Sequence, residues 1–170
     1  MRALSAVVVV LAALAHPATA HVTLETQQAV AGSTYKAVLR VPHGCGPSPT
    51  HTIRVRIPDG MTGVKPMPKA GWQLSTVNGK LAQPISDGHG GQITEGVREV
   101  VWAGGKLLDA HYDEFVFRGT LPNKPGEMLW FPVVQECETG VERWIEIPAA
   151  GKSGDDYKTP APGMKLLPKP

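Results

Sequence analysis

The sequence predicts an all-β fold, an antiparallel β-sandwich of the cupredoxin or immunoglobulin-like kind, and three observations carry that prediction. Short runs in which apolar and polar residues alternate with period two recur along the chain. Glycine and proline, 19 and 16 of the 170 residues, punctuate those runs and argue against a helical bundle. No segment keeps a helical period over ~10 residues, so helix is limited to at most one turn near Lys106 to Ala110. A hydrophobic share of 42% suffices for one core, and 170 residues fit one domain of ordinary volume.

Residues 1–20 stand apart from the fold. Met1 and Arg2 precede an apolar run, Ala3 to Ala15, and the small-residue triplet Ala18-Thr19-Ala20 follows. This is the pattern of a secretory signal peptide cleaved after Ala20, and the run is too short for a permanent membrane span of ~20 residues. Cleavage after Ala15 also satisfies the small-residue rule but leaves a stub ahead of the first strand. The mature chain is thus expected to be exported, periplasmic or secreted, to begin His21-Val22-Thr23, and to lack a transmembrane segment.

About nine strands are expected in the domain 21–150. His21 to Glu25 opens it. Tyr35, Ala37, Leu39 and Val41 alternate with Lys36 and Arg40, and Ile53, Val55 and Ile57 alternate with Arg54 and Arg56 before the turn Pro58-Asp59-Gly60. Met61 to Val64, Trp72 to Val77, Ile93 to Trp102, Glu114 to Gly119, Met128 to Gln135 and Val141 to Ile147 complete the set. Asn78 to Gly91 reads as a long flexible excursion, and 151–170 as an extended tail rich in proline and glycine.

Within Val141 to Ile147, alternation places Val141, Ile145 and Ile147 on a core face. Glu142, Trp144 and Glu146 then share the other face, where an indole requires cover from another segment or a ligand. Trp72, Trp102 and Trp130 lie in apolar alternation and are expected in the core.

Charge says little about partners. Removal of Arg2 leaves 16 of the 17 basic residues against 15 acidic ones, with no basic field for nucleic acid. Cys45 and Cys137 are the only cysteines. In an exported chain they suit a structural disulfide, which would close a loop of about 90 residues and contribute about 4 kcal/mol on the chain-entropy model. The competing reading is a pair of thiolates for Cu(I).

The mature N-terminus carries the chemistry. A first-position histidine offers its α-amine and its ring Nδ1 to the same metal, a chelate open to no internal histidine. An α-amine and an imidazole both lose their protons near neutrality, so little proton release opposes metal binding. Two nitrogens completed by oxygen suit Cu(II), which also heads the affinity order of the divalent first-row ions. His43, His51, His89 and His111 show no paired spacing, so a multi-histidine zinc site is not legible. There is no Ser/His/Asp order and no phosphate loop, and Asp113 and Glu114, being adjacent on a strand, point to opposite faces.

The segments His21-Val22-Thr23-Leu24, Arg40-Val41-Pro42-His43-Gly44-Cys45, Pro66-x-Pro68-x-x-Gly71-Trp72, Ile93-Thr94-Glu95-Gly96-Val97, Asp113-Glu114-Phe115-x-Phe117, Phe131-Pro132-Val133-Val134-Gln135-Glu136-Cys137 and Arg143-Trp144-Ile145 resemble the YcnI-like copper-binding family. The similarity runs from His21 to about Gly151. The resemblance implies a cupredoxin-like sandwich holding Cu(II) in a brace made by one N-terminal histidine, with an indole beside it. His21 matches the histidine and Trp144 the indole. It also implies a copper chaperone or carrier that works with another periplasmic copper-handling protein, and it favours the disulfide over the Cu(I) dithiolate. A carboxylate ligand is implied too. Between the second and third strands, where it would be sought, this chain has Arg54 and Arg56, leaving Glu114 and Glu136 as candidates and Glu25 behind them. The alternatives are a mononuclear copper oxidoreductase, which needs a second histidine, and an interaction module in which His21 is incidental.

Overall fold

The computed structural model describes residues 21–170, so the expected signal peptide and its cleavage lie outside the described residues. Twelve strands are found among them. They are β1 (Thr23–Leu24), β2 (Gln28–Val30), β3 (Thr34–Val41), β4 (Thr50–Arg56), β5 (Thr62–Pro66) and β6 (Gln73–Ser86). Then come β7 (Gln92–Leu107), β8 (Asp113–Thr120), β9 (Met128–Trp130), β10 (Val133–Cys137), β11 (Val141–Trp144) and β12 (Gly163–Leu167).

Two main sheets form the sandwich. One has the order β1-β3-β8-β5 and the other β11-β10-β4-β7-β6, all neighbours antiparallel. The alternation read from β3 and β4 decides their inner faces. Ala37, Leu39, Val41, Ile53 and Val55 are each fully buried, whereas Arg54 and Arg56 are not. Trp102, Phe115, Phe117 and Phe131 fill the space between the layers, with Phe115 set edge-on between Trp72 and Trp102 at centroid distances of 4.8 and 5.5 Å. Each such ring contributes about 2–3 kcal/mol by leaving water. Trp102 matches its expected core place; Trp72 and Trp130 are only half-buried.

Four expectations are corrected. Asn78 to Gly91 is not a flexible excursion: β6 and β7 pair through most of it as a long hairpin with an irregularity between Lys80 and Ile85, and Asp87 closes the turn by accepting from the amides of His89 and Gly91. The expected strand Met128 to Gln135 divides at Phe131-Pro132, because proline has no N–H for the ladder. Its first part joins a third, three-stranded sheet, β2-β12-β9, and its second part joins the larger sheet.

The third correction concerns the C-terminus. Residues 151–170, expected as a tail, carry a 3-10 turn (Gly154–Asp156) and β12, which runs parallel to β2 and antiparallel to β9. Met164 and Leu166 are fully buried in the same core as the sandwich. Local composition misleads here because the partners of β12 are supplied from far along the chain.

The fourth is the polarity of β11. Trp144 is buried, while Val141, Ile145 and Ile147, the expected core set, are 47, 43 and 56% exposed. Pairing explains the reversal: Trp144 lies opposite Val133, an inward residue of β10, so the register forces the indole inward. The strand also ends at Trp144, so Ile145 and Ile147 fall outside the alternation that seemed to unite them.

Cys45 and Cys137 are joined in a disulfide, with their Cα atoms 6.1 Å apart. It ties the loop after β3 to the end of β10. At a separation of 92 residues, the chain-entropy model gives such a bond about 4 to 5 kcal/mol.

Candidate metal centre

His21 lies just ahead of β1, at the edge of the smaller main sheet, and its ring rests against Trp144 at the facing edge of the larger one. The centroids are 5.6 Å apart and the planes tilted by 57°. The Nε2 atom of His21 is buried and has no hydrogen-bond partner among the described residues. A buried ring nitrogen without a partner costs about 1–3 kcal/mol, so the ring holds this place against a penalty. With Nε2 turned into the protein, Nδ1 is left, the nitrogen able to share a chelate ring with the main-chain nitrogen of the same residue.

A polar network fixes the indole. Trp144 Nε1 donates to Oε1 of Gln135 at 3.0 Å, and Gln135 Nε2 donates to the carbonyl of His43 at 2.8 Å and to Oγ1 of Thr50 at 2.7 Å. Gln135 and Thr50 are fully buried. Thr50 joins this group because a bulge between Thr50 and Thr52 shifts the register of β4 against β7. Thr50 Oγ1 also lies 3.4 Å from Sγ of Cys137, so the disulfide and the Gln135 network meet.

A cavity of about 330 Å³ opens beside His21. Its lining includes Gln27, Met128, Trp130, Asp155 and Gly163. Gly163 is required where it stands: a Cβ there would come within 2.4 Å of the Trp130 ring, so only glycine lets that indole lie across β12. Asp155 arrives on the 3-10 turn, which a capping box closes: Ser153 Oγ accepts from the Asp155 amide at 3.2 Å, and Asp156 accepts from the Ser153 amide at 3.0 Å. The segment is fastened down again at Glu146. Its carboxylate accepts from the amide and hydroxyl of Thr159 at 2.7 and 2.9 Å, and its carbonyl accepts from the Ala161 amide at 2.8 Å. Those bonds, the amide bond foremost, hold the Glu146 carboxyl below its ordinary range.

The expected carboxylates are elsewhere. Glu114 stands two strands from β1, since Thr23 pairs with Arg40 and Arg40 with Glu114, and it accepts from the Tyr112 phenol. Glu136 is adjacent to the inward Gln135 and so points off the outer face of the larger sheet, where Arg54 Nε donates to it at 2.6 Å. That bond is the leading reason the Arg54 guanidinium is held above its usual range. Glu25 pairs with Arg40 at 3.4 Å. The other histidines are also apart from the cavity: His43 Nδ1 lies 3.5 Å from Asp109, His51 Nδ1 is 2.8 Å from Thr52 Oγ1, and His89 and His111 are exposed. Among the described residues no cluster of three or more His, Cys, Asp and Glu is set for a metal. The carboxylate-bearing residue that shares the cavity lining with His21 is Asp155.

The arrangement is an all-β, immunoglobulin-like sandwich in which His21, just ahead of β1, lodges against the buried Trp144. The chain belongs to the family described as Domain of unknown function (DUF1775), the YcnI-like family, whose model matches residues 21–166. That span includes β12, in keeping with the burial of Met164 and Leu166. The fold is similar to that of an uncharacterized protein from Nocardia farcinica, whose crystal structure is described as an immunoglobulin-like fold. The TM-score is 0.65 at 23% identity, covering 86% of this chain and 98% of that one. A putative membrane anchored protein from Corynebacterium diphtheriae aligns with a TM-score of 0.37 at 10% identity, over 74% of this chain and 31% of that one. No curated protein matches the chain. No helix of the described residues is long and apolar enough to cross a membrane.

Proposed function

We propose that this protein is an exported Cu(II)-binding protein, a periplasmic or secreted carrier that holds the ion at its mature N-terminus and passes it to another copper-handling protein. Cleavage after Ala20 frees the amine of His21, and that amine and Nδ1 form the chelate. The observation that supports the reading most is the packing of the His21 ring on Trp144 with Nε2 buried and unpartnered. The contact holds the ring in one orientation, which is what a chelate at this residue requires.

The residues present suit the ion. Imidazole and amine nitrogen match the borderline character of Cu(II), and Asp155, which lines the cavity as Glu114 and Glu136 do not, supplies the carboxylate oxygen. Gln135 acts through Trp144, holding the indole against the ring. When bound, copper in this site is cargo, and the chain's own contribution is to orient the chelate and to shield one side of it.

The experiment is to compare the natural mature protein with one carrying an additional residue before His21. The natural form is expected to bind one Cu(II) tightly, with a nitrogen-rich EPR signature, and the extended form to lose both. Equal binding by the two forms would remove the chelate from consideration.

A further inference from the structure

Cu(II) calls for nitrogen and oxygen, yet the cavity beside His21 also presents a sulfur. Met128 lies on β9, where Leu129 turns into the core and Met128 and Trp130 share the opposite face, and its side chain lines the cavity while remaining 41% exposed. The alternatives for a soft donor are few. Both cysteines are consumed in the disulfide, so no thiolate is available. Of the other methionines among the described residues, Met61 and Met164 are sealed in the core, and Met67 stands outside the cavity, after β5. Met128 alone combines exposure with a place beside His21.

We propose that the same cavity binds Cu(I), with the Met128 thioether and the His21 imidazole as its donors. The inference rests on the reading of His21 as a copper ligand and extends it to the cuprous ion. Thioether sulfur is a soft, polarizable donor that selects Cu(I), and imidazole serves both oxidation states. Met128 is unbranched and flexible, its cross-strand partner Lys165 is engaged by the Gly126 carbonyl, and it lines the same cavity as the His21 ring. Carboxylate oxygen from Asp155 serves the harder ion and sulfur from Met128 the softer one. The cavity thus offers a different set to each, and a carrier so built receives copper in either form.

The test uses the mature wild-type protein, Met128→Leu and Met67→Leu. Cu(I) affinity is measured anaerobically by competition with a chromophoric cuprous chelator, and Cu(II) affinity separately by EPR-monitored titration. Wild type is expected to bind Cu(I), and Met128→Leu to lose at least about tenfold in Cu(I) affinity while Cu(II) affinity changes little. Met67→Leu should match wild type in both, and the Leu side chain is close enough in volume to Met that folding is retained. Wild-type protein that binds Cu(II) but not Cu(I), or a Met128→Leu variant with unchanged Cu(I) affinity, overturns the inference and leaves the Cu(II) reading intact. Failure of wild type to bind Cu(II) is seen in the EPR arm alone and removes the reading beneath it.

Discussion

Gln135 is the residue on which the candidate site turns mechanically, and Gln135→Met tests this directly. The substitution keeps chain length and volume but removes one acceptor and two donor interactions. The indole N–H of Trp144 and the carbonyl of His43 are then left without the partners they have at 3.0 and 2.8 Å. Thr50 retains Sγ of Cys137 at 3.4 Å and suffers less. The buried indole N–H at about 1–3 kcal/mol and a smaller loss at the part-buried His43 carbonyl set the expected destabilisation at about 2–3 kcal/mol. Urea unfolding, followed by fluorescence, reads it as a lower midpoint at unchanged slope. Because the indole is the surface on which His21 rests, Cu(II) affinity should also fall by about tenfold, the usual scale for a group acting through a neighbour of the ligand. A loss below about 1 kcal/mol together with unaltered Cu(II) binding would show that the network positions nothing.

Two further outcomes follow from the geometry. Asp155→Asn should weaken Cu(II) binding by about tenfold in a titration, whereas Glu114→Gln and Glu136→Gln should leave it unchanged; the reverse pattern would restore the carboxylates that the fold has placed elsewhere. The Glu146 carboxyl is depressed in the folded protein, so its contribution is present above the ordinary glutamate range and is lost as pH falls through the lower, folded value. Amide exchange at Thr159 and Ala161, normalised for intrinsic rates, should therefore accelerate on acidification before the rest of the domain loosens. Glu146→Gln should show that faster exchange already at neutral pH.

Much of the fold was legible because alternation is a local property. The inward sets of β3 and β4, the punctuation between strands and the all-β class follow from residues a few positions apart. The burial of Trp144 was not legible. Counting aliphatic neighbours within Val141 to Ile147 favoured the wrong face, and only the pairing with Val133 on β10 reveals which way the strand is turned. The same limit hid β12: Met164 and Leu166 alternate with Lys165 in a stretch whose proline content masked the signal.

At the site the division is similar. The sequence by itself determined that histidine follows the small-residue triplet at residues 18–20, that a tryptophan stands late in the domain, and that two cysteines were available to pair. Those are facts of order along one chain. Tertiary structure decided that His21 meets Trp144, that Gln135 secures the indole, and that Asp155 and Met128 rather than Glu114 and Glu136 share the cavity with the histidine. Each of those outcomes depends on the register between strands far apart in sequence, where a shift of one residue would turn every side chain to the other face.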